Sequence, residues 1–370
     1  MKTSGLPDIR PLVKLCGLYC ILYVANGISA KYFTHNLGLP ELTYTYYNTT
    51  GSVIVALAVV LVWRWYRMPG SDRRRFGLFS TPVETPYIVL SGICAAVIIP
   101  GTTLMYTRTG LSVMVAMAIM RGCVIVISRL VDWIQIRQGL MRKRVYAEES
   151  WAVILALLAV AVMMLYGPLK ARLFPTVAAV ATPKNGVALT TSGLDTFHYI
   201  VLAAYVIAYA IRLYCMNYYK NTRHGREQDN KGYFSYEQFA AWATLIVTVP
   251  LLLWATSVFH WTDPRLLDLQ QAAHHANLLA NASGVFYGCI AFTSVFIFMY
   301  RGRTATFAGV ANRTSSLLAG VIATLGAHWL LGLPWPKSEE WVGVGLLLVA
   351  IMFLYAAEKK RSAEVPRRNN

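Results

Sequence analysis

The chain has 370 residues, 56% of them hydrophobic and only 14% charged, with a mean hydropathy of +0.47. Soluble domains carry roughly 25% charged residues, so this composition excludes a water-soluble protein, a disordered chain and a secreted disulfide scaffold. Lysine and arginine number 34 against 17 acids, a formal charge of +17. In a membrane protein that excess is first a matter of which loops carry it, before nucleic acid is invoked.

A membrane-spanning helix needs about 20 largely apolar residues. Ten such runs are expected, near 12–32, 42–65, 86–106, 110–131, 151–167, 198–218, 236–256, 281–300, 304–330 and 341–357. The first follows a short basic segment and precedes nine more, so it reads as a retained span and not a cleaved signal. Nine of the ten tryptophans, among them Trp63, Trp133, Trp254 and Trp341, stand at run ends, where indole prefers the headgroup zone. All six cysteines fall in apolar runs without a CxxC, which predicts small buried side chains and neither disulfide nor metal.

With ten spans the two termini share a side. That face carries 25 basic residues and the other only seven, Lys31, Arg108, Lys170, Arg172, Lys184, Arg265 and Lys337. The positive-inside rule makes the richer face, and both termini, cytoplasmic. The net charge is thus read as topology, with no nucleic-acid partner. Two arginines remain outside any loop, Arg121 and Arg313.

The sequence also repeats itself. EESWAVILALLAVAVMMLYG in the fifth run matches SEEWVGVGLLLVAIMFLYAA in the tenth, and LMYTRTGLSVMVAMAIMRG pairs with FMYRGRTATFAGVANRT at a shift of 193 ± 1, which sets Arg121 and Arg313 192 residues apart. A unit of five spans is odd, so its second copy enters the membrane upside down. The expected fold is therefore an all-α integral membrane protein of ten helices in two inverted five-helix repeats. Residues 1–167 and 198–357 would form the repeats, 168–197 a non-cytoplasmic connection and 358–370 a basic tail. Such repeats recur in secondary transporters, where they enclose a site near the midplane.

The first run and its exit, YVANGISAKYFTHNLGLPELTYTYYN, resemble the opening of the nucleotide-sugar and triose-phosphate branch of the drug/metabolite transporter superfamily (EamA-type ten-helix transporters), with Asn26, Lys31 and Pro40 at the matching positions. GVANRTSSLLAGVIA in the ninth run resembles that branch's small-or-amide residue followed by a base, which implies a substrate-binding role for Arg313. MRGCVIVIS in the fourth is similar to a segment of the related F-type solute carriers. The fourth run departs from the triose-phosphate pattern at Arg121, which does not align with the expected lysine. The inverted repeats imply alternating access, a rocking that exposes the site to each side in turn.

The residues carry their own reading. An ionised group mid-span costs a few kcal/mol and faces a cavity or a partner. All seventeen acids, Glu41, Asp132 and Glu237 included, read as lying in loops or near run ends. Neither arginine then has an evident carboxylate, and an anionic substrate could accept the guanidinium fork; a bond to broken-helix carbonyls is the structural alternative. Lys31 closes the first run and either binds substrate or snorkels to headgroups. Tyr44, Tyr47 and Asn48 share a helical face and suit either a base- or sugar-lining pocket or an interfacial tyrosine belt. Asn26 is a cavity candidate. Asn312 begins a polar patch with Thr314, Ser315 and Ser316 that either binds substrate or packs helices.

The seven histidines stand in loops or near run ends, and there is no HExxH or Walker motif, so no metal, no cofactor, no ATP drive and no enzyme are expected. Lack of a buried carboxylate would favour exchange or facilitated movement over proton coupling. The expected function is secondary transport of a small anionic, phosphorylated organic solute, such as a nucleotide sugar or sugar phosphate, by a monomer or homodimer among membrane lipids. A flippase that takes a phospholipid or lipid-linked head group, and a non-transporting receptor or scaffold, are the alternatives. Short loops suit a bacterial inner membrane, while Golgi and plastid membranes house the resembling families.

Overall fold

A computed structural model describes residues 10–67, 73–76, 79–140, 146–173, 194–222, 229–274, 277–298 and 305–364. They form helices α1 (Arg10–Lys31, continuing through a π-helical turn Tyr32–Asn36), α2 (Glu41–Val62), α3 (Thr85–Thr107), α4 (Val113–Arg137), α5 (Ala147–Leu173) and α6 (Thr196–Thr222). These are followed by α7 (Asn230–Val258), α8 (Pro264–His274), α9 (Leu278–Phe298), α10 (Ala305–Leu331) and α11 (Ser338–Glu364). All but α8 are long and apolar enough to cross a membrane, ten spans in all. A hairpin of two four-residue strands, β1 (Arg73–Phe76) and β2 (Phe79–Pro82), lies between α2 and α3. The architecture is that of a multi-pass, helical membrane protein.

Every expected run falls on one of these spans, but several helices overrun it. Asp229 caps α7 by accepting from the Gly232 amide at 2.9 Å, which starts that helix six residues before the apolar run. Glu237 thereby stands about two turns inside the helix. Ser112 caps α4 in the same way, accepting from Val115 N at 3.1 Å. Residues 174–193, most of the expected connection between the halves, and 365–370 of the tail lie outside the described residues.

The 11-residue α8 was not expected, being far too short to span. It docks on α2, where Tyr47 donates to the Ala272 carbonyl at 3.0 Å and Thr43 to that of Asp268 at 3.2 Å.

The main helix pairings are α2 with α9, α3 with α6 and α7, α1 with α9 and α10, α4 with α5, α6 and α10, and α11 with α5 and α10. Small residues set the closest of these, as packing in lipid favours. A Cβ on Gly284 of α9 would lie 2.4 Å from the Asn48 carbonyl oxygen of α2, and one on Gly92 of α3 would lie 2.5 Å from the Glu237 carbonyl oxygen of α7. Backbone meets backbone at both crossings.

Candidate functional site

Arg121 projects from α4 into the middle of the bundle and is 4% exposed. Its terminal nitrogen Nη2 donates to the Tyr23 hydroxyl of α1 at 3.0 Å, while its Nε has no acceptor among the described residues. The guanidinium carbon lies 5.5 Å from the Tyr23 ring centre. Tyr19 meets Tyr23 edge-on at 4.8 Å, and Tyr205 meets Tyr209 of α6 at 5.5 Å. With Tyr287 of α9 these rings wall a cavity that also receives Arg212 and Gln238. About 40 Å³ of it is open to the centres of water molecules, room for a few waters.

Arg313 of α10 is as deeply buried, at 5% exposure, but opens onto a different cavity of about 60 Å³ shared with Asp132, Glu149 and Lys220. In that cavity Glu149 pairs with Arg129 at 3.5 Å. No carboxylate lies within ion-pair distance of Arg121 or Arg313 among the described residues. Asn312, 1% exposed, leaves both its amide nitrogen and its oxygen without a partner among them. Arg121 stands eight residues into α4, and Arg313 eight into α10.

The other expected site residues are in three further places. Asn26, Tyr44 and Asn48 come together in a buried hydrogen-bonded cluster, not around Arg121. There the Asn48 amide nitrogen is 3.3 Å from the Tyr44 hydroxyl, 3.3 Å from Ser283 Oγ and 3.4 Å from Asn26 Oδ1. Thr103 donates to Asn48 Oδ1 at 3.2 Å, and Tyr44 lies 3.0 Å from Ser283. Tyr47 is held by α8. Lys31 is 6% exposed and does not reach for headgroups: its ammonium donates to the carbonyls of Arg108 at 2.8 Å and Leu111 at 2.7 Å, tying the end of α1 to the α3–α4 turn.

Two charged residues in the spans were missed. Arg212 donates from Nε to Glu237 Oε1 at 2.8 Å and from Nη2 to Oε2 at 2.9 Å, and Glu237 has no exposed surface. Ser91 donates to the same carboxylate at 2.5 Å and accepts from the Tyr233 hydroxyl at 2.9 Å. A buried intramembrane carboxylate therefore exists, contrary to the reading that placed every acid at a span boundary. That reading failed because Asp229 starts α7 early and α6 runs on to Thr222, so that both residues sit well inside their helices.

The two clusters match position by position. Tyr44, Asn48, Ser283 and Asn26 correspond to Tyr233, Glu237, Ser91 and Arg212. The sequence signal is Y-x-x-Y followed by Asn48 or Glu237, together with Ser-Gly at 91–92 and at 283–284. Asn48 and Glu237 each stand seven residues into their helices, while Asn26 and Arg212 each stand ten residues before the end of a 27-residue span.

A third feature is an apolar groove of about 640 Å³ on the outer face, between α2, α3, α6 and α7, with Trp242 and Pro100 in its wall.

No family model matches the chain, and no curated protein matches it. Among solved structures, a chain described only as "Crystal structure of protein" aligns with 95% of this chain and 98% of its own length at 10% identity, with a TM-score of 0.45.

Proposed function

We propose that the protein is a secondary transporter of the drug/metabolite type that moves an anionic, phosphorylated organic solute, such as a nucleotide sugar or sugar phosphate, by alternating access. The observation that carries this reading is the contrast between half-buried Arg212 and the two buried arginines, Arg121 and Arg313. Arg212 has a carboxylate at hydrogen-bond distance, whereas neither Arg121 nor Arg313 has one within ion-pair distance among the described residues, Asp132 acting on Arg313 only from farther across its cavity. An unpaired guanidinium in a low-dielectric interior costs several kcal/mol. A solute with a phosphate or carboxylate group supplies the missing charge through the two-pronged bond that the guanidinium offers. Tyr19, Tyr23, Tyr205 and Tyr209 add flat apolar faces for a ring.

Inverted five-helix repeats are part of the proposal. They are supported by the helix pairings, which survive exchanging α1 with α6, α2 with α7, α3 with α9, α4 with α10 and α5 with α11. They are supported also by the two matched clusters and by the equal depth of Arg121 and Arg313 in their helices. In an inverted pair equal depth means opposite leaflets, so the two arginines would serve the solute in turn. The charge count makes the ends of α2 and α6 nearest Trp63 and Thr222 cytoplasmic.

The apolar groove favours a second reading, a flippase whose substrate keeps its acyl chain in that groove while an arginine takes the head group. A thermal-shift panel of nucleotide sugars, sugar phosphates and phospholipids on purified protein tests both. Stabilisation by the soluble phosphates supports solute transport, stabilisation by phospholipid alone supports the flippase, and no response from any of them contradicts both.

A further inference from the structure

We propose, building on the anion-transport reading, that Glu237 is the proton-carrying group of the transport cycle: the solute anion and the Glu237 carboxylate compete for Arg212, and Glu237 takes up a proton when the anion wins. Arg212 is shared by both partners, since it lines the Arg121 cavity while holding Glu237. An anion drawn into that cavity meets two guanidinium groups, one of them occupied.

The matched cluster indicates that the charges are not there to join helices. Asn26, Asn48, Tyr44 and Ser283 tie α1, α2 and α9 through the same positions with no charge at all. Burying an ion pair where a neutral pair performs the same packing is a net cost in desolvation. Function is the reason left for the charged version.

The charge balance also points to a single proton. The empty site holds Arg121, Arg212 and ionised Glu237, for a net charge of +1. A dianion lowers this to −1 in a buried place, and one proton moving from water onto the Glu237 carboxylate restores neutrality. The displaced carboxylate has no exposed surface and no guanidinium, so without the proton it would be an uncompensated buried charge. The groups facing Glu237 are Arg212 and Cys215 from α6, Ser91 and Cys94 from α3, and Tyr233 from its own helix. The chain Tyr233 to Ser91 to Glu237 runs toward the start of α7 and offers a hydroxyl route for the proton.

The test uses the full chain in liposomes carrying a lumenal pH dye, with radiolabelled UDP-glucose and inorganic sulfate as probes, both dianionic throughout the neutral range. For whichever probe enters, uptake by the native protein acidifies the lumen by one proton per anion and rises up to about tenfold per unit of external acidification. Glu237→Gln takes up anion with no proton and no pH dependence, while Glu237→Asp, which keeps a carboxylate facing Arg212, retains both. Native uptake without lumenal acidification, or acidification that persists in Glu237→Gln, overturns the proposal alone. Failure of the native protein to take up either probe counts against the anion reading and removes this proposal with it.

Discussion

Arg212 grips both oxygens of Glu237, at 2.8 and 2.9 Å, inside two membrane-spanning helices, while Asn48 meets Asn26 at 3.4 Å in the matching positions of α1 and α2. Breaking a buried pair from one side leaves an uncompensated charge, at a cost of about 3–5 kcal/mol, whereas replacing both partners is often neutral. Glu237→Ala is therefore predicted to lower stability in detergent unfolding by about that amount, and Arg212→Met/Glu237→Leu by much less. Equal losses in the two proteins would contradict this.

Close backbone contact at the two matched crossings makes a second prediction. A methyl at Gly284 or Gly92 would fall within 2.5 Å of main-chain atoms of the facing helix, and overpacking of that kind costs about 1–3 kcal/mol. Gly284→Ala and Gly92→Ala should each lower the unfolding temperature. Gly17→Ala, with nothing within 4 Å of its added methyl, should not.

Lys31 tests what buried lysine does at the end of a span. Its two bonds to the Arg108 and Leu111 carbonyls are charge-assisted, each worth about 1.5–3 kcal/mol. Lys31→Met is predicted to destabilise the protein, measured by unfolding in detergent. A variant as stable as the native chain would return Lys31 to a role at the lipid surface.

A pH dependence is expected at the opposite end from the Arg212–Glu237 pair. His198, at the start of α6, lies 3.2 Å from Glu41 and bonds to Asp195, which in turn pairs with Arg265. Partial burial works to raise the Asp195 pKa, but the bonds from His198 and Arg265 outweigh it and hold the carboxyl well below the ordinary aspartate range. A depressed pKa contributes stability that is full above the unfolded value, about 3.9, and is lost as pH falls through the folded one. Asp195→Asn should therefore lower the unfolding temperature at neutral pH, with the difference from the native protein shrinking as pH drops below about 4. A constant difference would contradict it.

Much of this was legible in the residues. Apolar run length and the tryptophan positions located all ten spans, because hydrocarbon thickness sets a helix length that composition alone reveals. The Asn26, Tyr44 and Asn48 group was recognisable as polar residues in apolar surroundings, and the structure gathers them, but around Ser283 and Thr103 and not around Arg121. The wall of Tyr19, Tyr23, Tyr205 and Tyr209 escaped notice because tyrosine at four-residue spacing reads as ordinary packing. Glu237 escaped because helix ends are set by caps such as Asp229, which a hydropathy window does not register. The α8 helix escaped for its shortness, since its place depends on carbonyls offered to Thr43 and Tyr47.

The most direct measurement is uptake of radiolabelled UDP-glucose and glucose 6-phosphate into liposomes holding the native chain, Arg121→Ala or Arg313→Ala, with each variant's fold checked by its chromatographic profile and unfolding temperature. The expected result is uptake of at least one probe by the native protein and a fall to the level of empty liposomes in both folded variants. Unchanged uptake in either folded variant would contradict an anion site built on these two arginines.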